Sequence, residues 1–287
     1  ECFRINRHSY RKSLILLLDV NTQPAHIHHQ SRYTILPGLI TAYSVFRWFL
    51  VNKVFATLGR LAKVDPKRLY KFSNRCFDLL HYSSSAIIGL IAVLSRPYAK
   101  CMFWSYDCAD FYMPTEEAFQ VTVMEKIYVL IFFCYYIVDV AYIGANTGIA
   151  LIAIHHVATL SLVFGSIILQ APVVCVIIMI LHDVVDVPLY TGKICAYLGY
   201  IKIKDFTLVS FAILCTWFRM INYPLVANAA WKNQYREGII YPVLYRGVAY
   251  FLWVLFFCHC CWFYDILKAV LQIVQGNPNA IRDNRSD

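Results

Sequence analysis

The chain has 287 residues, of which 60% are hydrophobic and 15% are charged, and its mean hydropathy is +0.55. Soluble domains are typically about 45–50% apolar and about 25% charged, so this composition excludes an ordinary water-soluble domain, a disordered chain, a collagen and a coiled coil. The net charge of +9 mainly reports which loops face the cytoplasm, because membrane proteins concentrate Lys and Arg there. No basic and aromatic nucleic-acid-binding module accompanies this charge, and we expect no nucleic-acid partner.

In chain order, residues 1–32 are predicted to form a basic, polar arm. Seven apolar segments follow, each close to the length of about 20 residues that a hydrocarbon core of roughly 30 Å requires. The first segment is interrupted by Arg47 and Lys53, whose long side chains can snorkel towards water, so it is kept as a predicted span. The seven predicted spans are residues 37–58, 77–95, 121–143, 148–169, 172–192, 207–227 and 244–267.

The predicted fold is therefore an all-α polytopic membrane protein with about seven transmembrane helices. We divide the chain into four parts. They are the arm (1–32), a first transmembrane segment (33–58), a membrane domain (59–268) and a polar C-terminal tail (269–287).

The distribution of basic residues predicts the orientation of these spans. One side is richer in Lys and Arg, with Arg60, Lys63, Lys67, Arg68, Lys71, Arg75, Lys193, Lys202, Lys204, Lys268, Arg282 and Arg285. The positive-inside rule makes this side cytoplasmic and places the N-terminus outside, although the basic N-terminal arm argues against that assignment. In this orientation Cys101 and Cys108 flank a lumenal loop and can form a disulfide, and the sequon at Asn284 stays unmodified.

Five ionisable side chains lie inside two consecutive predicted spans. His155 and His156 are in the fourth span, and His182, Asp183 and Asp186 are in the fifth. A charged Asp at the centre of a membrane helix costs roughly 2.5–3.5 kcal/mol on insertion scales. Satisfied polar side chains that hold helices together are the simpler explanation for one isolated group. Five of them in adjacent spans favour a functional site.

The spacing predicts that these side chains meet. The turn near Gln170 makes the two spans an antiparallel hairpin and is nearly equidistant from His155 and Asp186, so both residues are expected at one depth. Asp183 and Asp186 share a helix face, as do His155 and Thr159. A carboxylate that orients an imidazole is typical of base or nucleophilic catalysis. The spacing does not tell which of the two adjacent histidines acts.

A metal site is the competing interpretation, because three histidines and two carboxylates can bind one ion. His81 and His259 are isolated in the sequence, so we expect no second histidine cluster, no metal and no permanently bound cofactor. The tight spacing of Cys258, His259, Cys260 and Cys261 does not suit a usual zinc site. Asp139 is interpreted as a polar group at a helix end.

The stretch from His155 to Asp186 resembles the signature of the Lag1-type ceramide synthases, which belong to the TLC (TRAM-Lag1-CLN8) domain family. The shared elements are a His-His pair, at His155 and His156, and a later His-Asp-x-x-Asp, from His182 to Asp186. Lys193, Arg219 and Tyr223 also match family positions, and the resemblance covers roughly residues 70–230.

This resemblance implies an endoplasmic reticulum acyltransferase that moves a fatty acyl group from acyl-CoA, its cosubstrate, to the amine of a sphingoid base. It implies that the last six helices, within residues 59–268, form a barrel around a lipid cavity. The implied partners are membrane lipids, acyl-CoA and a sphingoid base, with a homo- or hetero-oligomer possible. The implied catalytic residues are His155, His156, His182, Asp183 and Asp186, with Thr159, Lys193, Arg219 and Tyr223 as substrate-binding or supporting residues.

Three departures from the family pattern keep an alternative open. Leu189-Tyr190 stands where the family has Leu-Glu, residues 144–148 replace a basic-acidic stretch, and Val173-Val174-Cys175 replaces Arg-x-Gly. These losses suit a non-catalytic lipid-binding or structural subunit of a membrane complex, which could reside in another organelle membrane.

Overall fold

The computed structural model describes residues 32–103, 122–143, 149–169, 172–233 and 242–275. The described residues are helical and include no β-strand, which confirms the all-α prediction. The N-terminal arm, Cys108, residues 144–148, the turn at Gln170 and the sequon at Asn284 lie outside these ranges.

The described residues form seven helical rods and one short 3-10 segment. Two of the rods contain a π-helical stretch, where the backbone is wound more widely than in an α-helix. The rods are α1 (Arg32–Phe49, π-helical Leu50–Phe55, Ala56–Leu61), α2 (Leu69–Leu94), α3 (Val123–Ile143), α4 (Ile149–Ile168), α5 (Pro172–Tyr197), α6 (Ile201–Cys215, π-helical Thr216–Asn222, Tyr223–Asn233) and α7 (Pro242–Val274), and the 3-10 segment is Pro97–Phe103.

Each predicted span coincides with one rod. By length and hydropathy, three stretches within α2, α5 and α7 can cross a membrane (Leu69–Leu94, Val173–Tyr197 and Val243–Val274), and Ala150–Ser166 of α4 is a shorter apolar helix. These helices indicate an integral membrane protein. The count of seven spans and their closure into a barrel stay predictions.

Helix α5 is the centre of the packing. It packs most extensively against α2 and α6, and 72% of its most apolar window is buried, compared with 17% for α7. Its residues from Val173 to Leu181 are all buried apolar side chains. A helix that is apolar on every side is typical of the interior of a bundle, so polar groups on α5 are held away from lipid.

Large apolar side chains on the outer helices are exposed. On α2 these are Ile87, Ile91 and Leu94, and on α4 they are Ile154 and Val157. Contiguous exposed apolar surface is costly in water, whereas in a bilayer it faces lipid tails.

The segment after α2 contains a disulfide. Cys101, in the 3-10 segment, is disulfide-bonded, and its predicted partner Cys108 lies outside the described residues. Disulfides persist in oxidising compartments. The bond therefore agrees with the predicted lumenal placement of this loop.

Candidate active site

The structure brings the polar side chains of α4 and α5 together inside the bundle. His155, His156, His182, Asp183 and Asp186 are all buried, and the ring centroids of His155 and His182 lie 6.0 Å apart. None of the five faces lipid. Their contacts fall into three sets, made by the imidazole cluster, by His156 and by the two carboxylates of α5, and these are described in turn.

The first contact is a pair of imidazoles. His182 Nε2 lies 2.9 Å from His259 Nε2 of α7, and His182 Nδ1 lies 2.7 Å from the carbonyl oxygen of Ile178. A carbonyl only accepts hydrogen bonds, so Nδ1 of His182 carries the proton and Nε2 of a neutral ring accepts. His259 therefore donates its Nε2 proton to His182, and its own Nδ1 is buried without a hydrogen-bond partner.

The prediction that His259 is isolated is wrong. The two histidines are 77 positions apart in the chain and meet because α7 packs beside α5. The available signal was an ionisable residue well inside the last predicted span, of the kind that singled out His155.

His155 belongs to the same cluster. Its ring centroid lies 6.2 Å from that of His259 and 5.1 Å from that of Trp262. Ring nitrogens of His155, His182 and His259 all lie within 4.8 Å of one another, close enough to hold one metal ion. Three imidazoles with an open fourth position match a catalytic zinc site. The absence of a metal therefore stays a prediction.

The second contact involves His156, which faces α3 and not α7. Its Nε2 lies 3.4 Å from Asp139 Oδ2, and Asp139 Oδ1 accepts a 2.7 Å hydrogen bond from Arg47 Nη1 of α1. Asp139 lies near the end of α3 (Val123–Ile143), as interpreted from the sequence, but its contacts with His156 and Arg47 were not predicted. Successive helical residues point about 100° apart, which is why the two adjacent histidines have different surroundings.

The third contact is made by the carboxylates of α5. Ser85 Oγ and Tyr128 OH donate to the same oxygen, Asp183 Oδ2, at 2.6 Å and 2.7 Å. Asp183 Oδ1 is buried without a hydrogen-bond partner. Asp183 thus ties α2 and α3 to α5 through hydroxyl groups and not through an imidazole.

Asp186 forms an ion pair with Arg219, whose Nη2 lies 2.8 Å from Asp186 Oδ2. The same guanidinium nitrogen donates to the backbone carbonyl of His182 at 3.0 Å. Arg219 lies in the π-helical stretch of α6, a feature that often occurs at functional sites. Arg219 therefore links the carboxylate of Asp186 to the backbone that carries His182.

Tyr223 packs against the imidazole pair. Its hydroxyl donates to the carbonyl of Leu252 at 2.9 Å, so it does not pair with the aspartates. Its ring meets those of His182 and His259 edge-on, at centroid distances of 5.6 Å and 4.9 Å. Tyr223 fixes the position of these rings from the α6 side.

An apolar cavity opens beside the imidazole pair. His182 and Thr159 are two of its few polar lining residues, and Thr159 Oγ1 is buried without a hydrogen-bond partner. The cavity lies between α3, α4, α5 and α7, and it extends towards the end of α4 and the start of α5. The rest of its lining comprises Phe132, Tyr136, Leu162, Val163, Ser166, Val174, Cys175, Ile178, Met179, Val248, Leu252 and Leu255.

Lys193 lies nearer the predicted cytoplasmic end of α5. It is seven residues beyond Asp186, which is two helical turns or about 10 Å on the same face. Its Nζ lies 5.2 Å from the ring centroid of Tyr190, and the guanidinium of Arg75 lies 5.8 Å from that centroid. Two cationic side chains from α2 and α5 thus converge on one aromatic ring.

Comparisons with known proteins place this site in a family. Residues 71–268 match the TLC domain. Ceramide synthase 1 LOH3 of Arabidopsis thaliana is 24% identical over 261 residues, which cover 84% of this chain and 81% of that protein. Ceramide synthase LOH1 of Arabidopsis thaliana is 23% identical over 285 residues, covering 88% and 89% of the two chains. Ceramide synthase hyl-2 of Caenorhabditis elegans is 23% identical over 296 residues, covering 93% and 86%.

The matched domain contains the polar cluster, the cavity and the Arg219 ion pair, whereas α1 precedes it. The resemblance that the His155–Asp186 stretch indicated is therefore confirmed over more than half of the chain. This chain belongs to the TLC domain family.

Proposed function

We propose that this protein is an N-acyltransferase of the ceramide synthase type, which moves a fatty acyl group from acyl-CoA to the amine of a sphingoid base in the endoplasmic reticulum membrane. The observation that carries the proposal is the imidazole cluster at one end of an apolar cavity, within a TLC domain. A lipid thioester has the matching shape, with one reactive polar centre at the end of a long apolar chain.

The apolar lining of the cavity suits an acyl chain, but its free volume in this structure is about 20 Å³, so the helices around it must separate to admit one. His182 and Val174 line the same cavity on α5, and their eight-residue separation corresponds to about 12 Å at 1.5 Å per residue. An acyl chain that extends towards the α4–α5 turn would leave its thioester carbonyl beside His182 and His155. The hydroxyl of Thr159, four residues after His155, is positioned to hydrogen-bond the carbonyl oxygen.

In the reaction, the sphingoid amine attacks the thioester carbonyl carbon. The new C–N bond replaces the C–S bond, the amine loses one proton, and the departing thiolate of CoA gains one. We assign this proton transfer to the adjacent pair His155 and His156. His155 lies next to the cavity-lining His182, and the ring centroid of His156 lies 5.1 Å from that of Tyr136, which also lines the cavity. In the His182–His259 pair, Nδ1 of His259 is the nitrogen left to accept a proton.

The basic side chains near the predicted cytoplasmic end of α5 suit CoA. Arg75 and Lys193 converge on Tyr190 nearer the predicted cytoplasmic end of α5, where cationic side chains attract the phosphates of CoA. The thioester would then extend inward from these residues to the histidines.

The test is a panel of purified variants given acyl-CoA and sphinganine, with the amide product measured by mass spectrometry. His155→Ala, His156→Ala and Asp186→Ala are each expected to abolish product formation. Val157→Ala is the matched control, because Val157 lies on α4 beside the two histidines and is exposed to lipid. Turnover retained in all three site variants would refute the assignment.

A metal-dependent lipid-modifying enzyme is the second candidate, and the three converging imidazoles favour it. Metal analysis of the purified protein distinguishes the two. A stoichiometric ion that is lost in His259→Ala would replace acyl transfer by metal chemistry. A wild-type chain that copurifies with other membrane subunits and shows no turnover would instead indicate a non-catalytic subunit.

A further inference from the structure

His156 is buried with one ring nitrogen directed at a carboxylate. Its Nε2 lies 3.4 Å from Asp139 Oδ2, and its Nδ1 has no hydrogen-bond partner. A carboxylate accepts hydrogen bonds and donates none when ionised, so it favours the tautomer with the proton on Nε2. Nδ1 of His156 is then the basic nitrogen. The 3.4 Å separation is longer than a formed hydrogen bond, and such contacts often tighten when substrate binds.

Asp139 is held in place by the first helix. Arg47 Nη1 contacts Asp139 Oδ1 at 2.7 Å, so the two oxygens of this carboxylate face different partners. Arg47 is 3% exposed, although its neighbours Phe46 and Trp48 on α1 are exposed to lipid. A buried guanidinium needs a counter-charge, and Asp139 supplies it. The guanidinium therefore fixes which oxygen of Asp139 faces His156.

We propose that Asp139 is a positioning residue that holds the Nε2-protonated tautomer of His156, and that Arg47 of α1 fixes the orientation of the Asp139 carboxylate. The proposal rests on the proposed acyl transfer for its kinetic consequence, though not for its structural one. It extends the site to α1, which lies outside the matched domain of residues 71–268. The first helix is then part of the catalytic unit and not only a membrane anchor.

Asp139→Asn is the most informative single change. Arg47 only donates hydrogen bonds, so it will retain the amide oxygen and leave the amide NH₂ facing His156. That NH₂ donates to Nε2 and drives the ring proton to Nδ1, which is the wrong tautomer. General acid–base catalysis typically contributes about 10²- to 10⁴-fold to the rate, and a ring in the wrong tautomer loses that contribution. We expect a fall of this size in kcat, with KM for acyl-CoA nearly unchanged.

A charge exchange separates positioning from simple ion pairing. The double variant Arg47→Asp with Asp139→Arg restores an ion pair between α1 and α3, but it places a guanidinium beside His156. We expect the double variant to be more stable to heat than either single variant, because the ion pair is restored. Its kcat should stay low, because no carboxylate faces His156. Glu125→Gln is the matched control, because Glu125 lies on the same helix in a buried pair with Arg96. Its kcat is expected to match that of the wild-type protein.

A second measurement does not depend on turnover. Nitrogen-15 NMR of histidine-labelled protein in nanodiscs, assigned with His156→Gln, reports which ring nitrogen carries the proton. We expect an Nε2-protonated His156 in the wild-type protein and an Nδ1-protonated ring in Asp139→Asn. An unchanged tautomer, wild-type kcat in Asp139→Asn, or kcat restored by the charge exchange would each overturn the proposal. If the wild-type protein makes no amide, the proposed function fails, and the tautomer result alone decides the role of Asp139.

Discussion

At the scale of single residues, substitutions of His259 can separate a structural role in the His182–His259 contact from a chemical one. Removing the His259 ring leaves Nε2 of His182 buried without its donor, which typically costs about 1–3 kcal/mol. A glutamine in its place keeps an N–H donor but cannot exchange a proton as an imidazole does. The two substitutions therefore separate stability from chemistry.

We predict that His259→Ala lowers both thermal stability and amide formation, and that His259→Gln lowers amide formation while losing less stability. Thermal unfolding in detergent and product mass spectrometry measure the two effects. Cys260→Ala, at the next position of α7, is the control for substitution in this helix. Full activity in His259→Gln would show that His259 serves only as a hydrogen-bond donor.

A second prediction at this scale concerns Lys193. Removing its cationic side chain weakens attraction of the CoA phosphates without touching the histidines, so Lys193→Ala is expected to raise KM for acyl-CoA several-fold and leave kcat nearly unchanged. Because the attraction is electrostatic, the difference from wild type should shrink at high salt. Lys202→Ala is a control of equal charge. An unchanged KM at low salt would remove Lys193 from the CoA site.

The sequence predicted part of this site and missed part of it for a definable reason. His155 and Asp186 lie on adjacent helices joined by a short turn, so residue spacing alone fixes their relative depth. Arg47 and His259 meet their partners, Asp139 and His182, across helices that are not adjacent in the chain. Their contacts depend on which rods pack side by side, and a single hydropathy pattern does not determine that order.

At the scale of elements, the contact of α2 with α3 depends on a glycine. A Cβ at position 89 would lie 2.7 Å from Tyr128 Cζ and 3.0 Å from Ile180 Cγ1, and the Tyr128 hydroxyl holds Asp183. The close approach of the two helices therefore supports the buried carboxylate.

Gly89→Ala is predicted to destabilise the protein by about 1–3 kcal/mol, because overpacking displaces the Tyr128 ring. Gly247→Ala is the matched control. A Cβ at Gly247 of α7 meets nothing within 4 Å, so there the higher helix propensity of alanine should be neutral or slightly stabilising. Thermal unfolding of both variants measures the difference, and equal melting temperatures would contradict the packing account.

Hydropathy predicted the existence of every rod in the described residues but not all of their ends. The fifth predicted span stops at residue 192, whereas α5 continues to Tyr197, and α6 begins at Ile201 and not at 207. Hydropathy marks the apolar part of a helix, and helical hydrogen bonding continues where the helix leaves the hydrocarbon. The π-helical stretch around Arg219 had no hydropathy signal either.

At the scale of the whole molecule, the proposed function gives the substrate one direction across the membrane, with CoA towards the basic side and the acyl chain towards the disulfide-bonded side. The depth of the cavity should then limit acyl length. Val174→Phe fills the end that is farther from His182, so we predict a shift of the product profile towards shorter acyl chains. Val157→Phe adds the same ring on the lipid-facing surface of α4 and should leave the profile unchanged.

Competition between acyl-CoAs of different length, with ceramides quantified by mass spectrometry, measures this shift. A proportional loss of all chain lengths in Val174→Phe would mean that the substitution harms folding and not cavity depth. An unchanged profile in a fully active variant would place the acyl chain elsewhere.

The central claim is that the buried imidazole cluster and the apolar cavity together perform acyl transfer. The most direct measurement gives the purified wild-type protein, alone in a nanodisc, acyl-CoA and sphinganine, and follows the amide product and free CoA together. The account predicts that both appear in equal amounts. A folded protein that releases neither, or that releases CoA without forming the amide, would contradict it.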